Sequence, residues 1–137
     1  MEDRKQKALE NHNKGYNCGQ AVACAYCDLV GVDEETIFKM TEGLGLGMGC
    51  MEGTCGAITG AVTILGFKNS TANLDAPNSK GKTYQLSKEL VETFMNKNKA
   101  IVCKELKGIE TNQVLRSCQG CIEDASDILD DILQKME

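Results

Sequence analysis

The segment CGAITGAVTIL, residues 55–65, sets Gly56 four residues from Gly60 and Ala57 four residues from Ala61. On a helix, residues at that spacing share a face. Each glycine lowers helix propensity by about 1 kcal/mol relative to alanine, so a helix that carries two needs a compensating contact. Small residues on one face let another backbone approach closely. The chain is therefore constrained to pack this segment, as a core helix, tightly against a neighbour.

The rest of the chain also reads as helix. A first amphipathic helix is expected from about Glu2 to Lys14, stopped by Gly15. Asn17 starts a second, with Gln20 three residues later as the other half of a capping box. Asp33 caps a short third helix that leads into a glycine-rich loop. The stretch KNSTANLDAPNS holds the only proline and reads as an exposed loop. A long helix follows, with Leu86, Leu90, Val91, Phe94 and Met95 on its apolar side. IVCKELKG is a short helical turn ended by Gly108. The last helix runs from about Cys118 and aligns Ile122, Ala125, Leu129, Ile132 and Met136. No internal repeat or alternating strand pattern interrupts this. The expected fold is all-α: one domain over residues 1–137, a compact bundle of about five to six helices, with the glycine-rich loop leading into a Cys-capped helix.

Charge and glycine spacing exclude several functions. Lys and Arg number 15 against 20 Asp and Glu, for a net charge of −5, and no basic cluster is interleaved with aromatics. Nucleic acid and anionic membrane are poor partners for such a chain. MEDRKQKALENHNK has no apolar core of a signal peptide, and CGAITGAVTILGF is too short to span a bilayer. A reducing cytoplasm is the expected location. Gly43, Gly45, Gly47 and Gly49 alternate with Leu44, Leu46 and Met48, so neither nucleotide-binding glycine fingerprint is present. The segment before them reads as helix, where a phosphate cradle needs a strand.

Eight cysteines in a reducing compartment favour metal binding or redox chemistry over a disulfide framework. Cys18 follows Asn17, Cys55 follows Thr54 and Cys118 follows Ser117. Asn, Thr and Ser are favoured N-caps, which places each thiol at the first position of a helix, where free N–H groups and the macrodipole favour the thiolate. Cys103 opens a short helix beside Lys104, with a less clear cap. Cys24 and Cys27 point away from Cys18 and are expected to fill the core. Cys118-x-x-Cys121, at a helix start, suits a redox pair or two metal ligands. Cys50 lies in the loop five residues before Cys55 and could approach what Cys55 touches. The sole histidine, His12, reads as a surface or edge residue. EDASDILDD reads as the solvated face of the last helix, and Met48 and Met51 as packing residues.

With NCGQAV, GMGCMEGTCGAITGAVTILG, IVCKELKG and SCQGCIEDASDIL in this order, the chain resembles the C_GCAxxG_C_C family of redox-active proteins from about Tyr16 to Leu129. The family pattern has four cysteines, which match Cys18, Cys55, Cys103 and Cys118; spacing to Ile122 and Ala125 makes Cys121 the less natural fourth. Cys24, Cys27, Cys50 and Cys121 are additions. The family is small and helical and is similar to a domain of split-Soret cytochromes that carries an iron–sulfur centre. The resemblance implies that Cys18, Cys55, Cys103 and Cys118 are metal ligands, with Cys121 and Cys50 as further candidates and Gly56 and Gly60 as cofactor-binding positions. An iron–sulfur cluster is the first expectation and zinc the alternative. Without metal, the same four cysteines would be redox-active thiols with Cys55 as nucleophile, and any enzyme activity would be that of an oxidoreductase. The expected partner is a redox protein, and the Gly/Ala face would suit a homodimer.

Overall fold

The computed structural model describes residues 3–137, so the expected start of the first helix at Glu2 lies outside the described residues. Helix α1 spans Arg4–Asn13 and is capped by Asp3, whose side chain accepts from the Gln6 amide. Helix α2, Cys18–Tyr26, opens with both halves of the capping box: the Gln20 amide donates to Asn17 Oδ1 at 2.9 Å and the Asn17 amide to Gln20 Oε1 at 3.0 Å. A 3₁₀ turn, Cys27–Val30, carries the chain to α3, Glu34–Thr41, capped by Asp33 as the sequence predicts. A second 3₁₀ turn, Glu42–Leu44, leads into α4, Gly45–Met48, a single turn whose centre is left-handed.

The larger helices follow. Helix α5 is Gly56–Asn69 and α6 is Lys80–Asn98. The short α7, Cys103–Lys107, ends at left-handed Gly108, and α8 is Cys118–Lys135. Among the described residues there is no strand, only an isolated antiparallel bridge between Thr54 and Val102. No described helix is long and apolar enough to cross a membrane. The fold is the expected all-α bundle.

Helices α2 and α5 cross at its centre, and each buries nearly its whole circumference. Ala21, Val22, Ala25 and Tyr26 of α2 meet Ala57, Ala61, Ile64 and Leu65 of α5 in one core. Helix α8 adds Ile122, Ala125, Leu129 and Ile132, and α6 adds Leu86, Leu90 and Phe94. These are the stripes read from the sequence, with three exceptions. Met95 is exposed, and Val91 on α6 and Met136 at the α8 C-cap are only half-buried. Cys24 on α2 and Cys27 at the start of the 3₁₀ turn are buried, as expected of core-filling residues; burial pushes the Cys24 thiol up to about 12.

The small-residue face does what its spacing demands. A Cβ at Gly60 would lie 2.5 Å from the Gly19 carbonyl oxygen and 3.0 Å from the Gly19 Cα. No side chain fits there, because both neighbours are backbone. Gly66, one and a half turns further along α5, has nothing within 4 Å of the same position. Gly60→Ala should therefore destabilise the protein by about 1–3 kcal/mol through overpacking. Gly66→Ala should stabilise it by up to about 1 kcal/mol through helix propensity. Urea unfolding of the two variants beside the parent checks this; equal effects would mean that the α2–α5 crossing is not set by backbone contact.

Candidate functional site

Five cysteines, Cys18, Cys55, Cys103, Cys118 and Cys121, line one cavity of about 210 Å³. They arrive on four separate elements, and each is held by local structure. Cys18 and Cys118 occupy the first positions of α2 and α8 behind Asn17 and Ser117. The Ser117 hydroxyl accepts from the Gly120 amide at 2.9 Å. Cys55 differs from its expected place: it is itself the N-cap of α5, not the residue after a Thr54 cap. Cys103 is the first residue of α7 behind Val102, which supplies no side-chain cap.

A short backbone zipper sets the positions of Cys55 and Cys103. The Cys55 amide donates to Ile101 O at 2.7 Å, the Cys103 amide to Gly53 O at 3.0 Å, and the Lys104 amide to Met51 O at 3.0 Å. The glycine-rich loop can lie this close because Gly47 has φ +55 and no side chain: a Cβ there would sit 2.6 Å from the Cys103 Cβ. Leu46, Met48 and Met51 also take positive φ, a strained conformation for side-chain-bearing residues. Met48 is exposed, against the expectation that it packs, while Met51 is half-buried. Cys50 stays outside the cavity, exposed, with its Sγ 3.7 Å from Gly47 O.

The start of α8 is fixed by a buried carboxylate. Asp124 is 2% exposed and accepts from Arg116 Nε at 3.0 Å and Arg116 Nη2 at 3.2 Å. Lys97 Nζ at 2.6 Å and Asn98 Nδ2 at 3.1 Å, both on α6, complete the shell. EDASDILDD is therefore not wholly a solvated face. Asp130 in the same run accepts from the buried Tyr26 hydroxyl at 2.6 Å. Arg116 reaches Asp124 across Gly120, whose missing side chain leaves room for the guanidinium, and so clamps the residues on either side of Cys118.

The electrostatics divide the thiols into raised and lowered ones. Interaction between Cys18 and Cys118 raises Cys18 and lowers Cys118 to about 5. Lys107 and His12, both on the cavity wall, add to the lowering at Cys118. Interaction between Cys121 and Cys55 acts in the same way, raising Cys121 and lowering Cys55. The amides of Ala57 and Ile58 also favour the Cys55 thiolate, although neither makes a full cap hydrogen bond to it. Burial raises Cys103. His12, Lys107 and Arg116 were not legible as site residues, because they join the thiols only through tertiary contact. Gly56 lines the cavity beside Cys55, whereas Gly60 faces Gly19 in the helix crossing. Among the described residues, no three His, Cys, Asp or Glu side chains are grouped tightly enough to hold a single metal ion.

The family model described as "Putative redox-active protein (C_GCAxxG_C_C)" matches residues 16–132, a span that contains every thiol of the cavity. The chain belongs to this family. The match runs from just before Asn17 to within the last helix, so the elements that build the cavity are those of the family apart from α1. No curated protein and no solved structure matches the chain.

Asp124 makes the assembly of this site sensitive to acid. Burial alone would raise its pKa, but hydrogen bonds from Arg116, then Lys97 and Asn98, outweigh that and lower it. A carboxylate with a depressed folded pKa contributes stability above its unfolded value of about 3.9 and loses it as pH falls through the folded value. Asp124→Asn should cost about 2 kcal/mol at pH 7, since it removes charge-assisted hydrogen bonds to partners that can partly regain water. The gap between parent and variant in urea unfolding should close below about pH 4. A gap that persists unchanged to pH 2.5 would assign the loss to packing.

Proposed function

We propose that the thiol cavity holds an iron–sulfur cluster through which the protein transfers or senses electrons. The observation that carries this reading is the convergence of five thiols from four separate elements on one cavity. Cluster ligands must be thiolates, and the cavity is built to favour them. The N-termini of α2, α5 and α8 all open onto it, and their free amides and macrodipoles stabilise negative charge. Lys107 and Arg116 add cationic groups to the wall. Cys18, Cys55, Cys103 and Cys118 would be the ligands, with Cys121 a fifth thiol in reach.

The number of thiols and the size of the cavity suit a cluster better than a single zinc ion. A structural zinc ion draws four sulfurs to about 2.3 Å from a single point, and the thiols here are not gathered that tightly. A cluster spreads its thiolates over more than one iron and needs a cavity, not a point. When bound, such a group supplies one-electron exchange, its potential tuned by nearby charge and hydrogen bonds. The chain's own residues hold the thiolates in place and shield them: Cys55, Cys103 and Cys121 are almost wholly buried. Free thiols of this kind suit a reducing compartment such as the cytoplasm, and the electron partner would be another redox protein.

Protein purified without oxygen or chelators should contain iron and acid-labile sulfide in stoichiometric amounts, with visible absorption that Cys55→Ser abolishes. Trace iron and sulfide, or full metal content in Cys55→Ser, would defeat this reading.

A metal-free thiol–disulfide protein has its own support: Cys118 stands at the N-terminus of α8 in the cavity, where the Cys18 thiol and Lys107 lower it to about 5. Thiolates are the attacking species in disulfide exchange. Under that reading, Cys118 should be alkylated fastest of the cavity thiols, at a rate nearly flat between pH 6 and 8. Cys18→Ala removes that neighbouring thiol and should restore a rate that climbs roughly tenfold per pH unit across that range, as for a thiol of ordinary pKa. A steep climb in the parent protein would remove the reading.

A further inference from the structure

We propose that Arg116 sets the charge of the cavity: its guanidinium, seated on the first turn of α8 by buried Asp124, favours negative charge among the thiols and raises the reduction potential of a cluster held there. The inference rests on the cluster reading of the same site and assigns it a residue outside the cysteine pattern.

Hydrogen-bond geometry singles this residue out from the other cation of the wall. Lys107 also lines the cavity but makes no ion pair among the described residues. Arg116 is held in place: Nε and Nη2 donate to Asp124 at 3.0 and 3.2 Å, and Asp124 is tied to α6 through Lys97 and Asn98. A Cβ at Gly120, the third residue of α8, would lie 2.5 Å from the guanidinium carbon. The guanidinium therefore rests on the opening turn of the helix that carries Cys118. Its third nitrogen, Nη1, makes no hydrogen bond among the described residues, so its N–H donors are left for an occupant of the cavity.

The position is unfavourable for a cation unless an anion accompanies it. A helix N-terminus carries about +0.5 elementary charge and repels a guanidinium placed against it. Asp124 offsets one positive charge, but Arg116 and Lys97 bring two. Lys97 is exposed, so water and salt screen its share, whereas Arg116 is half-buried on the cavity wall and is screened less. One positive charge is thus left over beside the thiols, in a chain whose net charge is −5. One-electron reduction of a cluster adds a negative charge to the cavity. A fixed cation favours that reduced form and so raises the potential. Arginine suits the place better than lysine, because its planar fork stays on Asp124 while the charge remains at the wall.

The test uses the full chain purified without oxygen, with iron and acid-labile sulfide measured first. Arg116→Gln removes the charge while Asp124 keeps Lys97 and Asn98 as donors, so the variant should fold; Arg116→Met replaces it if it does not. Redox titration of the visible absorption should give this variant a midpoint potential below the parent's. It should also lose iron to a ferrous chelator about tenfold faster. Arg116→Lys keeps the charge without the fork and should return the potential towards the parent value. Lys97→Met, which removes the other cation on Asp124, should unfold at lower urea yet keep the parent's potential and rate of iron loss. Equal potentials in the parent and Arg116→Gln would overturn the proposal. So would a Lys97→Met variant whose potential falls as far as that of Arg116→Gln, because the bridge would then act only by anchoring α8. Iron and sulfide with an unchanged potential sink this inference alone; a parent chain without them sinks the cluster reading and this inference with it.

Discussion

The site depends on a backbone contact between two helices. Gly19 of α2 and Gly60 of α5 meet with no room for a side chain between them, and Gly56 approaches the Gly19 amide in the same crossing. Cys18 precedes Gly19 and Cys55 precedes Gly56. The contact that brings the helices together therefore also brings the two thiols to one cavity. Close packing of interiors makes this sensitive to a single methyl group. A Cβ at Gly60 would push the helices apart and separate the sulfurs along with them.

Two further devices bring in the remaining thiols, and neither relies on apolar packing. The zipper between residues 51–55 and 101–104 is made of backbone hydrogen bonds, so it fixes Cys55 and Cys103 regardless of side-chain identity. Its cost is a loop in which Leu46, Met48 and Met51 hold positive φ. Strain of that kind persists only where surrounding contacts over-determine it, and it is found here beside the cavity. The second device is ionic. Buried Asp124 gathers Arg116, Lys97 and Asn98, and ties the C-terminal end of α6 to the first turns of α8. Cys118 and Cys121 are thus carried on a helix start that is anchored on both sides.

The cavity then controls charge through geometry. Helix N-termini supply amides, Lys107 and Arg116 supply cations, and the neighbouring thiols act on one another. These surroundings lower Cys118 and Cys55, while Cys18 and Cys121 are raised. Whether the cavity works with a cluster or with thiols alone, this division decides which sulfur reacts first. A buried anion without such partners would be neutralised by protonation.

Much of this was legible in the chain itself. The capping pairs Asn17–Gln20 and Ser117–Gly120 start α2 and α8 with a thiol at the first position, because N-cap chemistry is local and needs only a few residues. The Gly56–Gly60 spacing implied a close crossing for the same reason. The identity of the crossing partner, the capping role of Cys55 and the cations around the thiols were not legible. Each depends on groups far apart in sequence: Cys55 binds Ile101, Lys107 shares a cavity with Cys18, and Asp124 pairs with Lys97. Local periodicity determined which residues start helices and which face inward. Only the tertiary packing decided which of the eight cysteines would share a cavity, because that follows from how closely the helices can approach and not from where each begins.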